Sequence, residues 1–184
     1  MKTSDVKHSK FLSKVLRHKP EIIGIQLDQN GWVNVKELLD ACQKRGILID
    51  RKTLERIVDT NDKRRFSFSE DGQKIRANQG HSIPVDLNLE PITPPDRLYH
   101  GTATRFLSSI YNKGLVKGKR HHVHLSGDPV TARKVGIRHG SPVILLVLAK
   151  EMHLDGYSFY RSANRVWLTD FVPVRYLRRW GSKK

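Results

Sequence analysis

The stretch Leu98–Leu115 joins a short apolar strand, the polar sequence His100-Gly101-Thr102 and the start of a helix. A strand that ends at a polar residue followed by glycine lets another molecule approach the backbone closely. Thr102 or Thr104 can cap the helix that follows. This pattern suits a phosphate-bearing ligand, although an ordinary turn with a helix cap would have the same composition.

A second donor-rich stretch, residues 74–82 (KIRANQGHS), contains no carboxylate. Basic groups also collect at residues 16–19 (LRHK), at the predicted end of a helix, where the helix dipole favours positive charge. Either stretch could hold a phosphate. A polar exit from a hairpin and a solvated helix end are the alternative interpretations, and both stay open at this point.

Residues 120–126 (RHHVHLS) contain closely spaced histidines, with His122 and His124 on one face of a short predicted strand. A closed zinc site needs four tetrahedral ligands, and Cys42, the single cysteine, lies in a different part of the chain. We therefore expect no metal. The histidines should hydrogen-bond within the sheet or face a ligand beside His100.

Arg138 lies in a basic loop just before the continuous apolar segment Val143–Leu148. Such a segment is typical of a central strand in a sheet. Arg138 would then stand on a rigid support from which it could reach an anion. A surface arginine that flanks a turn is the alternative.

The N-terminal part of the chain has a helical pattern. Apolar spacing predicts a helix over residues 5–19, and Asn34 and Asp50 are predicted to cap two more. Residues 65–69 and 73–77 should then pair as a hairpin. Three helices and a two-stranded wing are typical of a winged helix, a fold that binds nucleic acid or other proteins.

Prolines mark residues 84–96 as a stiff, extended linker between two lobes, residues 1–83 and 97–184. The second lobe should be small and mostly β, with two helices and several short strands, one of them over residues 172–177.

The chain of 184 residues has 34 Lys and Arg against 18 Asp and Glu, a formal charge of +16. Residues 93–184 carry 17 basic and only 5 acidic side chains, which favours a polyanionic partner. There is no apolar signal region and no segment long enough to span a bilayer. We expect a cytoplasmic protein without membrane association.

The motifs at residues 16–18, 74–82, 99–102, 122–126 and 138–140 resemble, in the same order, those of the NAD-dependent RNA 2′-phosphotransferase family. The resemblance covers nearly the whole chain. It implies an α+β protein with an N-terminal winged-helix, RNA-binding lobe. The C-terminal lobe would be an ADP-ribosyltransferase-like, mixed α/β lobe with a mostly β core.

In that family, an internal RNA 2′-phosphate attacks NAD and expels nicotinamide. The ribose 2″-hydroxyl then attacks the phosphate, releasing RNA with a 2′-hydroxyl and ADP-ribose 1″,2″-cyclic phosphate. The resemblance implies NAD as a consumed co-substrate and an RNA with a 2′-phosphate, tRNA among the candidates, as the partner of a monomeric enzyme.

The resemblance also implies site residues. The family's catalytic tetrad corresponds to Arg17, His18, Arg76 and Arg138. The residues implied to line the NAD pocket are His100, Gly101, Thr102, His124 and Ser126. Planar arginine forks suit a phosphate dianion, and a histidine can hydrogen-bond the phosphate or transfer the 2″-hydroxyl proton.

Two other functions would use parts of this pattern. One is an ADP-ribosyltransferase that modifies terminal phosphates of nucleic acids and stops after the first step. The other is a winged-helix RNA-binding protein with a non-catalytic second lobe. Arginines at the tetrad positions argue against the second, because binding to the RNA backbone alone would tolerate lysine there.

Overall fold

A computed structural model describes residues 3–61 and 63–181. The chain divides into two compact units, one ending at Asn88 and the other beginning at Leu89. Both combine helices with small antiparallel sheets, so the chain is a mixed α/β protein. No helix in the described part of the chain is long and apolar enough to cross a membrane.

The first unit places helices against a sheet of order β1–β3–β2. Its helices are α1 (Thr3–Arg17), α2 (Val35–Lys44) and α3 (Arg51–Asp59). Its strands are β1 (Val33–Asn34), β2 (Phe66–Phe68) and β3 (Lys74–Ala77). The predicted hairpin is confirmed, with Phe66 opposite Ala77 and Phe68 opposite Ile75.

The predicted caps are also confirmed. Asn34 Oδ1 accepts from the backbone N–H groups of Lys36 at 2.9 Å and Glu37 at 3.3 Å. Asp50 Oδ1 accepts from Thr53 N at 2.8 Å. Each cap satisfies donors that would otherwise lack a partner in the first helical turn.

The apolar stripe of α1 packs into the core of the first unit. The fully buried side chains at its centre are Leu12, Leu16, Leu38, Leu54, Ile57 and Ile75. Burying such an aliphatic side chain contributes about 1.5–3 kcal/mol. Packing therefore fixes α1, and with it the position of Arg17 at the end of the helix.

A partly buried ion pair joins α1 to α3. Asp5 is 1 % exposed and accepts two hydrogen bonds from Arg56, from Nε at 3.0 Å and from Nη2 at 2.9 Å. The fork geometry fixes direction as well as distance. The pair sets how α1 lies on α3.

Residues 84–96 contain no helix or strand. The segment is nevertheless hydrogen-bonded at both ends. Asp86 N donates to Gln29 O at 2.8 Å in the first unit, and Ile92 N donates to Phe159 O at 2.8 Å in the second.

The second unit is built on several small antiparallel sheets. One has the order β11–β7–β4, with β4 (Leu98–Ala103), β7 (Pro142–Val147) and β11 (Leu177–Arg179). Another has the order β6–β9–β8, with β6 (Val123–Leu125), β8 (Tyr160–Arg161) and β9 (Trp167–Thr169). The strands β5 (Leu115–Val116) and β10 (Phe171–Val172) pair with each other. The helices are α4 (Leu107–Lys113), α5 (Pro129–Gly136) and α6 (Ala149–Leu154).

The apolar segment before residue 148 is the central strand β7, as predicted. Three other expectations for this unit are wrong. Pro173 interrupts the predicted strand over residues 172–177, which becomes β10, a 3₁₀ turn (Val174–Tyr176) and β11. The helix α6, only six residues long, was not predicted. Thr102 lies within β4 and does not cap a helix, and Thr104 begins a 3₁₀ turn (Thr104–Phe106) without a side-chain cap.

Candidate functional site

Arg17 ends α1 and is half-buried. Its Nη2 donates to Arg65 O at 3.4 Å. A Cβ placed on Gly80 would lie 3.7 Å from Arg17 Nη1, so the guanidinium packs over the Gly80 backbone, where φ is +85°. The backbone of Ser82 then donates to Arg17 O at 2.9 Å. The segment after β3 therefore wraps the end of α1.

The exposed His18 is tied to the same segment. Its Nδ1 lies 2.9 Å from Ser82 Oγ. Ser82 thus contacts both predicted site residues at the end of α1, the ring of His18 by its hydroxyl and the carbonyl of Arg17 by its backbone N–H.

Arg76 lies on β3 and is half-buried. Its Cζ stands 4.4 Å from the centre of the Trp32 ring, and its Nη1 donates to Asn30 O at 3.4 Å. Its Nε is buried with no hydrogen-bond partner among residues 3–61 and 63–181. Burial lowers the pKa of Arg76, and the charge of Asp28 opposes this shift. In the described part of the chain no carboxylate hydrogen-bonds to this guanidinium, so its charge can pair with an incoming anion.

Asn78 connects β3 to the turn before β2. Its Nδ2 donates to Arg64 O at 2.6 Å, and its backbone N–H donates to Arg65 O at 2.9 Å, the carbonyl that Arg17 also contacts. Asn78 is buried, and its Oδ1 lacks a hydrogen-bond partner within the described residues. Residues 76–82 thus connect the neighbourhoods of Arg17, His18 and Arg76.

In the second unit, β4 meets the end of β6. Tyr99 and Ser126 form a bridge, with backbone hydrogen bonds of 2.9 and 2.7 Å. His100 Nδ1 lies 3.0 Å from His124 O. The structure therefore brings His100, His124 and Ser126 together.

Gly101 and Thr102 lie beneath α5. A Cβ on Gly101 would lie 1.7 Å from Ala132 O, and a Cβ on Gly136 would lie 2.7 Å from Thr102 O. The helix therefore packs directly on the strand backbone, which only glycine permits. Thr102 is buried there, with 5 % exposure.

Burial lowers the pKa of His100, an effect that the hydrogen bond to His124 O opposes. Since a carbonyl only accepts, Nδ1 of His100 must carry the proton and donate. The neutral ring then has its lone pair on Nε2. This nitrogen can accept a hydrogen bond from a hydroxyl group.

Arg138 is exposed in the 3₁₀ turn Ile137–His139, which follows α5 and precedes β7. It therefore stands next to the central strand, as predicted. The histidine-rich stretch is spread out: His122 packs against Tyr160 with ring centres 5.5 Å apart. Within the described residues, no group of three or more His, Cys, Asp or Glu side chains could hold a metal ion.

Residues 3–171 match the family described as RNA 2′-phosphotransferase, Tpt1/KptA family. The chain belongs to this family. It is 57 % identical over 169 residues to a probable RNA 2′-phosphotransferase of Hahella chejuensis, covering 92 % of this chain and 91 % of that protein. It is 55 % identical over 174 residues to one of Nostoc punctiforme, covering 95 % and 96 %.

Membership of the Tpt1/KptA family makes the protein a transferase that removes an internal RNA 2′-phosphate using NAD. The family that the five motifs indicated is thereby confirmed.

Sequence reasoning missed several residues that contact the predicted site residues of this RNA 2′-phosphotransferase. Trp32 and Asn30 hold Arg76, while Arg65 presents its carbonyl to Arg17. The sequence did contain a signal for Trp32. An aromatic residue directly after the Asn-Gly turn can cover an arginine of a neighbouring strand with its ring face. The backbone carbonyls left no signal in the sequence.

Proposed function

We propose that the first unit is a winged-helix lobe that binds RNA and holds its 2′-phosphate with Arg17, His18 and Arg76. The order of three helices followed by the β2–β3 hairpin, with β1 completing the sheet, supports this fold. In this proposal the lobe comprises residues 1–83, residues 84–96 are the linker, and residues 97–184 form the second lobe.

The environment of Arg76 carries the proposal. Its guanidinium is half-buried, and it is held by an aromatic face and a carbonyl rather than by a carboxylate. A partly desolvated cation of this kind gains most from an anion with several acceptor oxygens. A phosphate dianion satisfies this demand, and a hydroxyl group does not.

We propose that the second unit is an ADP-ribosyltransferase-like lobe that binds NAD through His100, Gly101, Thr102, His124 and Ser126. The lone pair on His100 Nε2 supports this role because it can accept a ribose hydroxyl of NAD. The half-buried side chains of His124 and Ser126 supply further polar groups beside it.

In the proposed first step, an oxygen of the 2′-phosphate forms a bond to C1″ of the nicotinamide ribose, and the bond to nicotinamide breaks. Arg17 and Arg76 hold the dianion in line for attack. The products are free nicotinamide and RNA with a 2′-phospho-ADP-ribose group.

In the second step, O2″ of the ribose bonds to phosphorus, and the bond from phosphorus to the RNA 2′-oxygen breaks. The 2″-hydroxyl proton ends on the released 2′-hydroxyl, and His18 is proposed to transfer it. Arg138 stabilises the charge that builds on the phosphoryl oxygens.

The test is incubation with a short RNA that carries one internal 2′-phosphate, with and without NAD. We expect NAD-dependent formation of RNA with a 2′-hydroxyl, together with ADP-ribose 1″,2″-cyclic phosphate. Arg76→Ala should reduce this reaction by a hundredfold or more, since loss of one charged phosphate partner costs about 3 kcal/mol.

Two results would contradict the proposal. A reaction that stops at RNA with a phospho-ADP-ribose group would indicate the ADP-ribosyltransferase alternative, which ends after the first step. RNA binding without any NAD consumption would indicate a non-catalytic winged-helix protein.

We propose tRNA as the natural substrate, a monomer as the active form and the cytoplasm as its location.

A further inference from the structure

Trp32 sits on a turn whose backbone is locked by Asp28. Asp28 Oδ1 accepts from Asn30 N at 3.0 Å and from Trp32 N at 2.9 Å, and Asp28 N donates to Trp32 O at 2.8 Å. Gly31 has a φ of +79°, which the tight turn requires. These hydrogen bonds fix the backbone of Trp32, and with it the point from which the indole ring extends.

The turn makes two different contacts with Arg76. The Trp32 ring covers the guanidinium face with Cζ 4.4 Å from the ring centre. The Asn30 carbonyl accepts from Nη1 at 3.4 Å, on the edge of the same group. Together, a face contact and an edge contact fix the plane of the guanidinium.

We propose that Trp32 is the positioning residue of Arg76, which it holds for the 2′-phosphate through its ring face. This inference rests on the proposed function of Arg76. A carboxylate could also hold the arginine, but it would neutralise the charge and compete with the phosphate for N–H donors. An aromatic face stabilises the cation and occupies none of them.

Four observations agree with this role. Within the described residues, Arg76 hydrogen-bonds to no carboxylate, and its buried Nε has no hydrogen-bond partner. The charge of Asp28 acts at a distance, because its two oxygens contact the turn backbone and Lys74. Trp32 is half-buried and is not part of the buried apolar cluster of this unit. Its ring therefore packs on Arg76 rather than filling the core.

The test measures phosphate discrimination, defined as the ratio of the dissociation constants for one RNA with an internal 2′-hydroxyl and with an internal 2′-phosphate. Binding is measured on the full chain without NAD, so that no reaction occurs. We expect Trp32→Leu to lower the ratio about tenfold and Trp32→Phe to lower it about threefold, since indole binds cations more strongly than benzene.

The protein supplies a matched control. Arg51 Cζ lies 4.9 Å from the ring centre of Phe68, on the same sheet. Phe68→Leu removes an aromatic face beneath an arginine that belongs to no proposed site. We expect it to leave the ratio unchanged.

A double variant separates positioning from a general structural role. In an Arg76→Ala background the ratio should already be low, and Trp32→Leu should lower it no further. A further loss in that background would overturn the inference. So would equal weakening of both RNAs by Trp32→Leu, which would mean that the ring stacks on a base.

The inference and the proposed function fail differently. If Arg76→Ala leaves the ratio unchanged, the proposed role of Arg76 is wrong. If Arg76→Ala lowers the ratio and Trp32→Leu does not, only the positioning role is wrong. Should Trp32→Leu fail to fold, Trp32→Phe decides: a ratio equal to that of the wild type would overturn the inference.

Discussion

Replacing Gly101 by alanine tests the close packing of α5 on β4. The added Cβ would lie 1.7 Å from Ala132 O, 2.6 Å from Ala132 C and 2.9 Å from Gly136 N. Real Cβ atoms essentially never approach within 3.0 Å, and the neighbours here are backbone atoms that cannot rotate away. The distance to Ala132 O is about 1.3 Å below that limit, so α5 would have to move away from β4 by more than 1 Å.

The expected cost is at the upper end of that for overpacking, about 3 kcal/mol. For a unit of this size, such a loss lowers Tm by about 12 °C or more. Differential scanning calorimetry of the full chain measures this. Because α5 leads directly to Arg138, the variant should also lose activity below its own Tm.

Gly127→Ala is the matched control. It lies two residues before α5 and has no positive φ, and a Cβ there would meet nothing within 4 Å. We expect its Tm to stay within about 2 °C of the wild type, as for most surface substitutions. If Gly101→Ala behaves like Gly127→Ala, the reasoning about the contact between strand and helix is refuted.

Further predictions concern the proposed site. Ser82→Ala should slow the overall reaction by about three- to tenfold, because His18 loses one hydrogen bond, and Ser82→Thr should restore it; single-turnover rates measure this, and equal rates for both variants would contradict it. Arg138→Ala and His18→Ala should accumulate RNA with a 2′-phospho-ADP-ribose group on a denaturing gel, whereas slow turnover with no intermediate would place both residues in the first step. RNA binding should weaken steeply from low to high salt because of the +16 charge, and a flat affinity would be evidence against this. The KM for NAD should rise only at a pH below the ordinary pKa of histidine, about 6.5, because protonation of His100 removes its acceptor at Nε2; burial lowers the pKa of His100, so a rise that begins above pH 7 would contradict the assignment.

Much of the fold followed from local signals. The caps at Asn34 and Asp50 and the hairpin ending at Ala77 depend on neighbouring residues only, so the sequence reveals them. The central position of β7 followed from its unbroken apolar run. By contrast, α6 is too short to show a helical period, and the division of residues 172–177 depended on Pro173.

The contacts that hold the site residues were harder to predict. Arg17 meets the carbonyl of Arg65, 48 residues further along the chain, and Arg76 meets Trp32 across a sheet. Backbone acceptors look the same in every sequence, so only the folded chain shows which carbonyl faces which arginine. The pairing of His100 with the His124 carbonyl is of the same kind.

The ion pair of Asp5 and Arg56 joins the first turn of α1 to α3, at the opposite end of α1 from Arg17. Twelve residues separate Asp5 from Arg17, or about 18 Å along the helix axis. Core packing through Leu12 and Leu16 fixes the end of α1 near Arg17, and the ion pair fixes its first turn. Trimming the chain past Asp5 would remove the carboxylate that accepts both Arg56 hydrogen bonds and leave the start of α1 without this contact to α3. A contact about 18 Å from Arg17 thus contributes to the orientation of the helix that carries it.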